Sequence, residues 1–439
     1  MNQYKYLIIG GGAAGISAAE TIRQTDKEGS MAIISDEPHP LYSRVMLSKP
    51  NFFLGQIPFE QIYLKSKDWY STNKIDFLGG KKAVGLNTSE NQLTLSDGSS
   101  VYYEKLLIAT GVDARPWTVK GSDKKGIHYL RNLEDGIGIM EAIKNLEARP
   151  RGLASRAITI GGGFISFEMA DLLKMAGLET TMILRESYFW EPILDEASGL
   201  MLENAMIKAG VKIIKNYEVT EVLGREKVEG VRGEASRPDL EASPRELSCD
   251  MIICGIGVVN PIEWLLKNGI ATNKGVLTNE FMETNVPNIW SAGDIAEYRD
   301  ILLEENVQMG NWVSAREQGR IAGLNMVRDS IASSENSVEA SNKQAFKFVS
   351  FYTTQGFGTS IAFIGDVTPK PDRTIIKRGS PEINSYARFI IAHDEIEGAT
   401  LINRNLEMTT ISKLIESNMK VSEHVKEIED VNFDLKRLV

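Results

Sequence analysis

An α/β fold with two Rossmann-like dinucleotide-binding modules and a C-terminal α+β domain is predicted by three features of the sequence. A glycine-rich turn between a strand and a helix occurs twice, at 10–15 and at 161–166. Short apolar runs alternate over residues 346–403, the pattern of an antiparallel sheet. A polar stretch of small residues without periodicity, 332–344 (ASSENSVEASNKQ before Ala345), reads as a linker ahead of that sheet.

Residues 4–9 (YKYLII) read as a buried strand, Gly10–Gly12 as a turn, 13–24 as a helix and 31–35 (MAIIS) as a second strand. This strand–turn–helix–strand run has the length of one βαβ unit. The pattern returns at 157–184: AITI is a strand, Gly161–Gly163 the turn, 164–176 a helix and TTMIL a strand. In that helix Ile165, Met169, Leu172, Leu173 and Ala176 form one amphipathic stripe. Gly177 stands where a left-handed, helix-ending residue belongs. Between the copies, LLIATG (106–111) is a strand ending in a tight turn, and MIICGIG (251–257) is a strand after the second copy. Residues 224–248 are charged, contain two prolines and read as a hairpin with an irregular exposed loop. A terminal helix is expected near 407–418.

The bulk numbers narrow the class. The 439 residues allow two to four domains and a large core. A net charge of −10 argues against nonspecific nucleic-acid binding, which needs a basic surface. With only two cysteines, Cys249 and Cys254, a disulfide framework is not expected and a reducing compartment is. The two bracket a predicted strand, which would hold them about 16 Å apart, too far for a disulfide. The N-terminal residues lack the shape of a signal peptide, and no window has the 18 apolar residues of a membrane span. A cytoplasmic location is the expectation. None of the four histidines joins a ligand cluster, so no metal is expected.

Gly10-Gly11-Gly12-Ala13-Ala14-Gly15 fits G-x-G-x-x-G directly after a strand. The first glycine permits the turn, the second admits a pyrophosphate close to the backbone, and the third lets helix and strand pack tightly. The helix N-terminus then offers N–H groups to phosphate. The acidic pair Asp36-Glu37 closes the second strand, where a carboxylate can accept ribose hydroxyls.

With GGGAAG (10–15), five further segments complete a pattern: YSRVMLSK (42–49), ATGVDARP (109–116), GGGFISFE (161–168), NVPNIWSAGDIAE (285–297) and NWVSAREQGR (311–320). The chain resembles the two-dinucleotide flavoproteins of the pyridine nucleotide-disulfide oxidoreductase superfamily. Within it the resemblance is to the branch of NAD(P)H-dependent rubredoxin and ferredoxin reductases, apoptosis-inducing factor and the flavin module of assimilatory nitrite reductase. It implies an FAD domain made of 1–118 and 249–331, an NAD(P) domain at 119–248, and the C-terminal domain at 345–439. It also implies FAD contacts from Arg44, Lys49, Thr110, Gly111, Arg115, Gly293 and Asp294, with Gly257 nearby. For Arg115 there is an independent reason, since a guanidinium suits a pyrophosphate. The family's disulfide-reducing branches carry a reactive cysteine where this chain has SRVMLSKP, so a dithiol relay is not expected.

The second fingerprint, Gly161-Gly162-Gly163-Phe164-Ile165-Ser166, replaces the third glycine with serine. After Leu184 come Arg185 and Glu186. Arg185 suits the 2′-phosphate of NADPH, whereas Glu186 turned inward would favour NADH. The residue order leans to NADPH.

Glu168 shares the apolar stripe of its helix and has no lysine or arginine at i±3 or i±4, so it needs a tertiary partner. The resemblance makes that partner Lys49 and places the pair at the site of hydride transfer. Phe164 packs on the nicotinamide or caps the strand; Trp312 matches an aromatic position over the flavin or is a helix-start core residue.

The implied activity is an FAD-dependent NAD(P)H oxidoreductase delivering electrons to a small external carrier such as rubredoxin or ferredoxin. Lys370, Lys377 and Arg378 are candidates to steer such a carrier, or form a solvated turn face. Alternatives are an NAD(P)H oxidase, disfavoured without the cysteine, an apoptosis-inducing factor-like signalling or assembly flavoprotein, and the flavin subunit of a larger reductase. A chain ending at Val439 without a cysteine-rich extension is not expected to be a whole nitrite reductase. The third domain either forms an interface, giving a homodimer, or covers the flavin; the sequence leaves both open.

Overall fold

The computed structural model describes residues 2–147, 155–237, 246–335 and 342–439. The chain forms two compact units, each assembled from three segments. The first contains Met1–Ser43, Glu60–Asp113 and Val259–Phe351; the second contains Arg44–Phe59, Ala114–Val258 and Tyr352–Val439.

The first unit is built on a sheet whose parallel core runs Ile75–Gly79, Met31–Ser35, Asn2–Ile9, Ser100–Ile108 and Ile289–Ser291. Ile9 pairs with both Ile34 and Ile108, so the strand after which the first glycine turn comes is flanked on both sides. Apolar residues therefore run through it without alternation, as a strand buried on both faces requires. The Ala13–Thr25 helix covers one face with Ala14, Ala18 and Ile22. Against it packs the Trp312–Glu335 helix. A Cβ on Gly319 would stand 2.1 Å from the Ala14 carbonyl oxygen, and one on Gly323 would stand 2.6 Å from that of Ala18. The two helix backbones approach so closely that only hydrogen fits at these positions.

In the second unit a parallel sheet runs Lys212–Ile214, Glu179–Ile183, Arg156–Ile160, Met251–Cys254 and Ile127–His128. The Phe164–Met175 helix follows the second glycine turn and ends before Gly177, which has φ +78°. Strands Tyr217–Leu223, Gly230–Ala235 and Glu246–Ser248 form an antiparallel sheet. Most of the loop expected between the last two, 238–245, lies outside the described residues. The C-terminal strands form a five-stranded sheet in the order Phe351–Gly356, Thr359–Gly365, Glu395–Ile402, Ser385–Ala392 and Thr374–Ser380. A helix, Met408–Glu416, follows. Phe363, Ile361 and Tyr386 of this sheet share a core with Phe167, Leu184 and Phe189.

Two local expectations change. The Trp312–Glu335 helix continues through the first residues of the expected linker, and 336–341 lie outside the described residues. Arg378 is not a steering cation, nor part of a solvated turn face. It is 2% exposed on a strand. Its guanidinium donates to the Glu407 carboxylate at 3.0 Å and to the carbonyls of Ile428 at 3.0 Å and Phe433 at 2.7 Å. The charge ties the last residues of the chain to the sheet. Lys370 is engaged by Asp366 at 3.4 Å. Cys249 and Cys254 are free and buried, and burial pushes both thiols up to about 12.

Candidate functional site: two glycine turns and a buried carboxylate

At the first turn Gly10 has φ +115°, and a Cβ there would lie 2.1 Å from the Ala109 carbonyl oxygen. Gly15 is equally constrained, with the Gly10 carbonyl oxygen 2.0 Å from where its Cβ would be. Gly12, at the helix N-cap, faces open space, and no side chain caps the helix. The first-turn N–H groups of Ala13 and Ala14 are thus presented to whatever occupies that space. Thr110, in the adjacent ATG turn, has a buried hydroxyl with no hydrogen-bond partner among the described residues. An open N-terminus, a backbone-close glycine and an orphaned hydroxyl fit the phosphate end of a dinucleotide. Beyond the neighbouring strand Glu37 accepts the Tyr42 hydroxyl, while Asp36 is exposed.

The AGD turn belongs to the same unit. Gly293 donates its N–H to Gln318 Oε1 at 2.8 Å, and Gln318 is completely buried. Gln318 in turn donates to Ser314 Oγ at 3.0 Å, and Asn311 caps the helix by accepting the Ser314 N–H at 2.9 Å. The carbonyl of Asp294 accepts from Gln308 at 2.7 Å. The NWVSAREQGR segment therefore holds the AGD turn through Gln318 and meets the first helix through Gly319. Trp312 opens this helix and packs on the core of the unit.

At the second turn Gly161 has φ +104°, with the Gly255 carbonyl oxygen 2.4 Å from its Cβ position. The serine in place of the third glycine is accommodated by a change across from it. Ser166 donates to the Ile160 carbonyl at 3.1 Å, and a Cβ on Gly255 would meet the Ser166 hydroxyl at 2.3 Å. Gly163 faces open space at the helix N-cap, and Ile165 is half-buried beyond it. Phe164 stands next to this opening against Trp190 and Tyr352, with ring centroids 5.7 and 5.2 Å away.

Arg185 is 67% exposed and lies 3.9 Å from the carboxylates of both Glu186 and Glu218. Glu186 is directed to the turn, its Oε2 lying 3.9 Å from where a Gly162 Cβ would be. Arg115 donates its backbone N–H to the Gly257 carbonyl at 3.0 Å and its side chain to the Val258 carbonyl at 3.0 Å. Arg44 donates to the Arg131 carbonyl at 2.7 Å.

The structure brings Lys49 and Glu168 together. Glu168, 3% exposed, is in the second turn of its helix. Its Oε1 accepts from the Lys49 ammonium and the Thr354 hydroxyl, and its Oε2 accepts from the Ser48 hydroxyl. Three donors compensate a burial that would otherwise cost several kcal/mol. Pro50, the first residue of a short helix, fixes the backbone just after Lys49. Asp171, one turn further along the same helix, is half-buried and accepts the Phe357 N–H at 3.2 Å. Burial holds its carboxyl above the ordinary value, aided by Glu168 and opposed by Lys49 and the Phe357 amide.

Sequence reasoning reached Lys49 and Glu168 but not Ser48, Thr354, Asp171 or Gln318. Ser48 and Gln318 lie inside quoted motifs, which was the available signal. Thr354 and Asp171 carry none. Among the described residues no group of three or more His, Cys, Asp or Glu could hold a metal ion, and no helix is long and apolar enough to cross a membrane.

Residues 4–319 match the family model described as pyridine nucleotide-disulphide oxidoreductase. The chain is 25% identical over 428 residues to the nitrite reductase [NAD(P)H] of Bacillus subtilis, covering 97% of this chain but 49% of that protein. It therefore spans about half of that relative's length. With the ferredoxin–NAD(+) reductase component of the biphenyl dioxygenase system of Paraburkholderia xenovorans it shares 25% identity, covering 98% of this chain and 97% of the other. A solved covalent putidaredoxin reductase–putidaredoxin complex contains a chain of the same fold, with a TM-score of 0.85 at 24% identity over 100% of this chain and 98% of that one. With a family model covering well over half of its length, and both glycine turns in place, this chain belongs to the pyridine nucleotide-disulphide oxidoreductase family.

Proposed function

We propose that this chain is an FAD-dependent NAD(P)H oxidoreductase that passes electrons to a small external carrier protein of the ferredoxin or rubredoxin class. The observation that carries the reading is the ion pair of half-buried Lys49 with buried Glu168, one turn into the helix that follows the second glycine turn. FAD, when bound, supplies the acceptor for a hydride and the means to release its two electrons singly. In this reading 1–118 with 249–331 bind FAD, 119–248 bind the nicotinamide cofactor, and 345–439 form the C-terminal domain. Ala13 and Ala14 offer N–H groups to the FAD pyrophosphate, with Thr110, Gly111, Arg115, Gly293 and Asp294 as further contacts and Asp36 or Glu37 at the ribose. Gly163 and Phe164 face the nicotinamide cofactor. Lys49, held by Glu168, keeps an ammonium where the hydride is delivered.

The full-length similarity to a ferredoxin–NAD(+) reductase component supports the carrier class. Anaerobic reduction by NADH followed by a panel of ferredoxin, rubredoxin and oxygen tests it. Rapid oxidation by an iron–sulfur carrier is expected; oxidation by oxygen alone would overturn the reading. Lys49→Ala is expected to slow reduction of the bound flavin in stopped flow without loss of FAD, and an unchanged rate would remove the pair from the hydride-transfer site.

For the nicotinamide cofactor the geometry favours NADH over NADPH, against the order of residues alone. Glu186 is directed to the glycine turn, where a 2′-phosphate would be repelled, and Arg185 is turned to solvent between two carboxylates. A higher kcat/KM with NADH is expected, and Glu186→Ala should narrow the preference. A preference for NADPH in the wild type would reverse the assignment.

A second reading, a flavin component within a larger reductase, is favoured by the half-length match to the nitrite reductase. Its test is whether the purified chain turns over with a free carrier protein. A reducing, cytoplasmic location belongs to this reading, since the 439 residues hold only two cysteines. Cell fractionation tests that assignment.

A further inference from the structure

Glu168 and Asp171 are one helical turn apart, so they share a face of the Phe164–Met175 helix. Their surroundings differ. Both oxygens of Glu168 are occupied, by Ser48 on one side and by Lys49 and Thr354 on the other. The donor to Asp171 among the described residues is a backbone amide, that of Phe357 at 3.2 Å. Among the described residues, the charged groups that act on Asp171 are Lys49, from the Arg44–Phe59 segment, and Glu168, one turn away on its own helix. One ammonium therefore stands against two carboxyl groups, and only one of the two is enclosed by side-chain donors.

We propose that Asp171 is a titrating positioning residue of the Lys49–Glu168 centre, whose gain or loss of a proton sets the pH range over which hydride transfer is fast. The inference rests on the proposed role of that centre. Burial already opposes the ionised form of Asp171, and Glu168 opposes it further. With Asp171 protonated, the Lys49 charge is shared with one acid. With Asp171 ionised, the centre gains a negative charge. A hydride brings negative charge to its acceptor, so the extra anion disfavours the transfer. The same acid should respond to the transfer in return. Each unit by which reduction shifts the Asp171 pKa changes the reduction equilibrium about tenfold.

The test uses the FAD-loaded enzyme. Reduction by NADH is followed across pH in stopped flow for the wild type, Asp171→Asn and Lys49→Ala. Infrared difference spectra of the oxidised enzyme across the same range report carboxyl protonation without turnover. In the wild type the rate should fall several-fold as pH rises through one ionisation, and a protonated-carboxyl band should disappear with the same midpoint. In Asp171→Asn, which retains an acceptor for the Phe357 amide, the band should be missing and the rate should stay at the acid-side value at every pH. Asp171→Ser, smaller and neutral, should give the same flat profile. An Asp171→Asn enzyme that keeps both the wild-type inflection and the band overturns the inference. Failure of the underlying reading looks different: Lys49→Ala then reduces as fast as the wild type at all pH values.

Discussion

Thr354 donates its hydroxyl to Oε1 of Glu168, a bond that spans 186 positions of sequence. Thr354→Val keeps the shape and removes the donor from a buried carboxylate. Such a loss costs about 1–3 kcal/mol. Urea unfolding should show that decrease, and Thr354→Ser should recover most of it. The rate of flavin reduction by NADH should fall in the valine variant and return in the serine variant.

Gly319→Ala should act on the first unit alone. Its new methyl group meets the Ala14 carbonyl oxygen, a backbone atom that cannot turn aside. Overpacking of this kind costs about 1–3 kcal/mol. Ala14 also lies in the turn proposed to hold the FAD pyrophosphate, so FAD retention during gel filtration should fall along with the melting temperature.

Arg378→Met leaves Glu407 without its Arg378 partner and uncaps the carbonyls of Ile428 and Phe433. Glu407 keeps its pair with Arg404, so the main loss is of hydrogen bonds to partly buried groups, about 1–3 kcal/mol. The last residues of the chain should become sensitive to protease before the rest, which limited proteolysis with mass spectrometry would read. Binding of an acidic carrier protein should not change, because the guanidinium is not at the surface.

Asp171 makes stability fall as pH rises. Its folded value is raised above the ordinary carboxylate value, so between the two the native state holds more protons than the unfolded state. The penalty is absent at pH values below the ordinary carboxylate value and complete above the raised one. Asp171→Asn removes it. The variant should therefore melt higher than the wild type at neutral pH, and the gap should close on acidification. Paired thermal melts from acid to neutral pH would show whether it does.

Much of the architecture was legible because it rests on local signals. Strands buried on both faces read as unbroken apolar runs, and a turn that needs φ > 0 or backbone-close packing reads as glycine. Glu168 was known to need a tertiary partner because none lay on its own helix, and the family resemblance pointed to Lys49. The rest depended on residues that meet only after folding. Ser166 looked like a relaxed fingerprint, and its explanation is Gly255, just after the neighbouring strand Met251–Cys254. Arg378 follows a lysine and read as part of a charged surface, yet alternation along its strand turns Lys377 outward and Arg378 inward. Charge alone did not distinguish the two. Arg185 and Glu186 are adjacent in sequence, and only side-chain direction tells them apart.

The division of each unit into three segments bears on how the protein is made. The strand Ser100–Ile108 must wait for Ile289–Ser291 to complete its flank, and Gly319 and Gly323 must be synthesised before the Ala13–Thr25 helix has its covering partner. Lys49 in the same way waits for Glu168, and Glu168 for Thr354. A ribosome releasing this chain would hold a half-built first sheet, with an apolar edge, while nearly two hundred more residues emerge. Such long-range pairing makes folding slow. Truncated chains ending anywhere before the third segment should depend on chaperones or precipitate, whatever their cofactor supply.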